Sequence, residues 1–114
     1  METTILVKSS SSDEPYAVVV SSTQIGLFVY CDCPAGEWGK YCKHKAAIVL
    51  GDEKILYDEE QFDNFLKAKE WIFTSNYPEL IAELQTLERK AEEAKKMVKN
   101  QKERIARLMK EGLR

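Results

Sequence analysis

All three cysteines of the 114-residue chain fall within a dozen residues, beside its only histidine: Cys31, Cys33, Cys42 and His44. Cys31 and Cys33 stand two apart, and residues two apart in a strand share a face. A Cys-x-Cys at a bent strand end therefore aims both sulfurs at one point. Cys42 and His44 supply a second pair, eight residues later, at the entry to a helix. Two close Cys/His pairs joined by a loop meet the needs of a closed tetrahedral zinc site. A soft N/S donor set also suits zinc in a reducing cell. Four protein ligands leave no vacancy for water, and no carboxylate is placed to complete a three-ligand catalytic site. Two other readings stay open. A Cys31–Cys42 or Cys33–Cys42 disulfide leaves one thiol odd. A cysteine nucleophile with His44 as base lacks an orienting acid and an oxyanion loop.

The elements that must position these residues are short. Thr3 to Lys8, Tyr16 to Val20 and Ile25 to Cys33 are rich in branched and aromatic residues that fit a pleated surface, and they predict an antiparallel meander. Pro34 should end the third strand near Cys33. Residues 34–41 (PAGEWGKY) read as a turn-rich loop, and residues 43–50 (KHKAAIVL) as a short helix with Gly51 as its C-cap. Asp58 and Gln61 look like an N-cap with its capping-box partner, opening a helix to about Phe73. Ser75 and Asn76 break that helix, and Pro78 stands in the first turn of a last one, running to about Glu111. The fold class expected is α+β: a small meander and short helix around one zinc over residues 1–51, then an α-helical hairpin and coiled-coil tail over residues 52–114.

The last helix carries a heptad. Leu84, Ala91, Val98 and Ile105 form one seam position, and Leu80, Leu87, Ala94, Gln101 and Leu108 form the other. The helix before it is half as long and can cover only the first part, so residues 78–111 imply a protein partner or a homo-oligomer. Flanking charges set Glu83 against Glu88 and Lys90 against Lys95 in a parallel homodimer. An antiparallel pairing centred near Ala94 instead brings Glu83 toward Arg104 and Glu88 toward Lys102.

Charge is uneven along the chain. The net charge of −2 divides into −1 over residues 1–50, −7 over residues 51–88 and +6 over residues 89–114. No apolar run reaches the roughly 20 residues of a membrane span. Residues 1–12 lack the pattern of a signal peptide, so a cytoplasmic location is expected.

The arrangement Cys-x-Cys, eight residues, Cys-x-His resembles the SWIM zinc finger. Its surroundings match as well: apolar strands before it (YAVVV, GLFVY), a proline after the second cysteine, and an apolar helix directly after Cys-Lys-His (KHKAAIVLG). The resemblance covers roughly residues 1–51. It implies a β-strand-plus-helix module holding one zinc, with DNA-binding or protein-binding roles and no enzyme activity of its own. The first functional reading is therefore a protein-interaction adaptor with a self-associating tail and no small-molecule substrate. The alternative is DNA or RNA binding through Lys40, Lys43, Lys45 and Trp38 around the zinc and through the basic tail. The overall acidic balance weighs against that alternative, and Trp38 has the competing role of packing over the metal site.

Overall fold

The structure, a computed structural model, describes residues 1–112; the last two residues of the expected helical region lie outside it. Three strands, β1 (Glu2–Val7), β2 (Tyr16–Thr23) and β3 (Gly26–Cys31), form an antiparallel sheet in the order β1-β2-β3. Helices α1 (Pro34–Glu37), α2 (Lys43–Leu50), α3 (Phe62–Phe73) and α4 (Tyr77–Glu111) follow, which makes the α+β fold expected from the sequence. Period-two alternation selects the inner face of the sheet. Ile5 and Val7 of β1 and Val18 and Val20 of β2 are fully buried, and they meet Ile48 of α2 and Phe65, Ala68 and Ile72 of α3 in one core. Met1–Ile81 is one compact unit; a second unit begins at Ala82, within α4. Among the described residues, no helix is long and apolar enough to cross a membrane.

The outer edge of β1 would present unpaired backbone groups, and the segment after α2 covers it. The Lys8 N–H donates to Ile55 O at 2.8 Å, and the Tyr57 N–H donates to Leu6 O at 3.0 Å. Val7 bridges Leu56 between these bonds. Asn64 Nδ2 donates to Thr4 O, and Gln61 Oε1 accepts from the Leu6 N–H at 2.9 Å. At the other edge, the Tyr77 hydroxyl donates to Leu27 O of β3 at 2.6 Å, tying the first turn of α4 to the sheet.

Three local expectations are corrected. The third strand ends at Cys31, two residues early, because Cys33 leaves the ladder to cap a helix. The presumed loop over 34–41 contains that helix, α1. Residues 59–61 form a 3-10 turn before α3, and the Asp58 side chain makes no capping bond to the backbone. Instead, Gln61 Nε2 donates to Asp58 Oδ1 while Gln61 Oε1 serves β1. Tertiary pairing thus takes the glutamine that a capping box would have used. Replacing Gln61 by Leu should leave the Leu6 N–H without a partner and cost about 1–3 kcal/mol. Urea unfolding at constant m-value measures the loss.

Candidate metal centre

Cys31, Cys33, Cys42 and His44 come together. Their ligand atoms all lie within 4.8 Å of one another, and each side chain is at most 5 % exposed. Cys31 ends β3 opposite Val18, on the buried face. The next residue holds the chain in strand-like pairing: the Asp32 N–H donates to Ala17 O, and Asp32 Oδ1 accepts from the Ala17 N–H at 2.8 Å. That clamp keeps Cys33 on the same side as Cys31. Cys33 is the N-cap of α1, with Pro34 in its first turn, and its sulfur accepts from the Gly36 N–H at 3.3 Å. Cys42 is the N-cap of α2 and accepts from the Lys45 N–H at 3.4 Å. Two of the three sulfurs thus take the place of the oxygen that usually caps a helix start, where backbone N–H groups favour negative charge. His44, two residues into α2, is covered by the Tyr16 ring at a centroid distance of 5.1 Å.

Burial and the neighbouring groups shift these side chains in different directions. Burial raises the Cys33 thiol, but donation from Gly36 N–H and from the neighbouring thiols of Cys31 and Cys42 outweighs it and holds Cys33 below the ordinary thiol range. Burial pushes Cys31 up to about 12, with the sulfurs of Cys33 and Cys42 adding to the rise against a bond from the Cys33 backbone. Burial also lowers His44, and the Lys43 charge lowers it further while Asp32 opposes both. The imidazole is therefore neutral at pH 7, the form that binds metal.

The fit to a metal ion rests on His44. Both of its ring nitrogens are buried and neither has a hydrogen-bond partner. Buried polar atoms are paired as a rule, and each orphan costs about 1–3 kcal/mol. A metal on one nitrogen satisfies that atom. Metal–sulfur bonds of about 2.3 Å in a tetrahedron keep ligand atoms roughly 3.5–4 Å apart. The observed cluster is slightly wider, so small side-chain rotations close it.

Gly36 builds the site without donating a ligand. A Cβ there would stand 2.2 Å from Cys31 O and 2.9 Å from Cys31 Cβ, so only glycine lets α1 lie against the end of β3. The sequence offered a signal in the glycine between the two ligand pairs, but nothing in it showed which backbone that glycine would meet. The remaining candidate residues do not gather into one cluster. Lys43 Nζ donates to Ser10 Oγ at 2.9 Å, beside the ligands. Lys45 lines a separate hollow of about 260 Å³ with Val29, Tyr41, Val49 and Tyr77. Lys40 is exposed. Trp38 is 80 % exposed, so it does not pack over the centre.

Comparison with known proteins found no matching family model, no matching curated protein and no matching solved structure.

Cys33→Ser should abolish tight metal binding. Gly36→Ala should weaken it by about 10–100-fold, as loss of support around a ligand does. Competition with a chromophoric chelator reads both, and unchanged affinity in the alanine variant would show that α1 does not position Cys33.

Proposed function

We propose that this chain is a zinc-binding finger of the SWIM type, a protein-interaction adaptor that self-associates through its C-terminal helix and catalyses no reaction of its own. The observation that carries the reading is the buried tetrad, with an imidazole whose two nitrogens lack any other partner. Three sulfurs and one nitrogen form a soft set that suits zinc. Four such donors fill a tetrahedral shell, which leaves zinc a structural role. The Cys-x-Cys and Cys-x-His pairs sit where the SWIM pattern would have them, at the end of an apolar strand and the start of an apolar helix. The adaptor role is supported by the length of α4, 35 residues with none buried.

Purified protein should contain one zinc per chain by native mass spectrometry. Structural zinc in small fingers contributes about 10–16 kcal/mol of apparent binding free energy at neutral pH. Chelation should therefore collapse the dispersed NMR signals of residues 31–50, and zinc should restore them. Native circular dichroism and NMR dispersion after complete chelation would refute a structural role for the ion.

Nucleic-acid binding is the second reading, and one observation favours it. Trp38 and Tyr41, 80 % and 60 % exposed, flank exposed Lys40 on the segment between the ligand pairs. Aromatic faces beside a cation can stack unpaired bases. On this reading, single-stranded DNA quenches tryptophan emission at low salt, and Lys43→Gln with Lys45→Gln lowers both the affinity and the steepness of its salt dependence. No binding at low salt removes this reading and leaves the adaptor.

A further inference from the structure

From Leu87 onward the apolar seam of α4 is largely on the surface: Leu87 is 61 %, Val98 55 % and Ile105 42 % exposed, and Leu108 is half-buried. Those residues lie on the heptad seam, so one stripe needs one partner. We propose that α4 pairs with α4 of a second copy, antiparallel, in the register that sets Ala91 of one copy against Ala94 of the other. This rests on the self-association in the reading above and gives it an orientation and a register.

Charge selects both. About the midpoint between Ala91 and Ala94, residues 77–92 carry four acidic and two basic groups, so −2; residues 93–108 carry two acidic and six basic groups, so +4. Antiparallel pairing lays the acidic half on the basic half, whereas parallel pairing stacks +4 on +4. The seam flanks say the same at residue level. Parallel helices face Glu83 with Glu88 and Lys90 with Lys95, each twice. In the proposed register Glu83 faces Arg104, Glu88 faces Lys95, Lys90 faces Met97 and Ile81 faces Lys102, with no like-charge pair. Sliding one heptad in one direction faces Lys90 with Arg104 and Lys95 with itself. Sliding in the other direction faces Lys90 with itself and Glu88 with itself. The sequence expectation of Glu88 against Lys102 is replaced here, because the centre lies between Ala91 and Ala94.

The seam residues fit the same register. Two Ala91–Ala94 layers let the backbones approach at the centre, Leu87–Val98 layers flank them, and Leu84–Gln101 and Leu80–Ile105 follow. Of these three registers only the central one makes the chain its own charge complement, and pairing with an unrelated helix places no such demand on the sequence. That favours a second copy over a foreign partner.

The test uses the full, zinc-loaded chain. Sedimentation equilibrium should show a dimer. Arg104→Glu turns two attractive contacts repulsive and should weaken the dimer about tenfold, and adding Glu83→Lys should restore it. In a parallel dimer Arg104 faces Met109, and the single change leaves affinity unmoved. A spin label at Ala106→Cys adds a distance. Residue 106 faces residue 79 of the other copy, so two labels stand about 40 Å apart at 1.5 Å per residue; a parallel pair brings them to roughly 10–20 Å. An unmoved affinity or a short distance overturns the orientation and leaves self-association standing. A monomer at every concentration overturns both, while the zinc content still judges the metal centre separately.

Discussion

A neutral imidazole sealed in the protein with both nitrogens unpartnered is costly, and the arrangement around His44 follows from that constraint. The ring sits where three sulfurs converge, and none of the four can be satisfied by the apolar core beside them. The local backbone is bent to serve this point. Strand β3 stops at Cys31, α1 starts at Cys33 and α2 starts at Cys42. Each sulfur cap orders a helix start, and each helix start lends N–H groups to a sulfur, so ligand positions and backbone conformation fix one another.

The rest of the first unit acts as a frame for that point. The sheet supplies Cys31 at a defined register, opposite Val18. Helix α2 packs Ile48 into the core and thereby fixes its own first turn, which carries His44. Helix α3 fills the space under the sheet with Phe65 and Ile72, and the turns before it close the β1 edge. A metal held by the tetrad would clip the end of the sheet to two helix starts. The apolar core clips the same elements from the other side.

The long helix obeys different physics. Beyond the first turn, which Tyr77 ties to the sheet, its interior backbone bonds are satisfied within the helix itself. What it lacks is cover for its seam, and the unequal charge of its two halves limits the cover that can fit.

The sequence by itself determined which four side chains cluster, the three strands and the helices other than α1, because each is a short-range pattern. Cys-x-Cys and Cys-x-His are read from spacing; β1, β2 and α2 follow from residue type and period; and Gly51 indeed takes the left-handed C-cap, at φ 73°. Only the tertiary structure decided the roles that depend on a distant neighbour. Gln61 carries a capping signature, yet its amide is claimed by a strand 55 residues away. Gly36 looks like an ordinary turn glycine until the Cys31 carbonyl is found where its Cβ would be. Trp38 is neutral between cover and display in the sequence, and it is exposed because α1 ends before it in a single turn. Local patterns record which backbone shape a segment prefers. They carry no record of the group that will arrive beside it once the chain has folded.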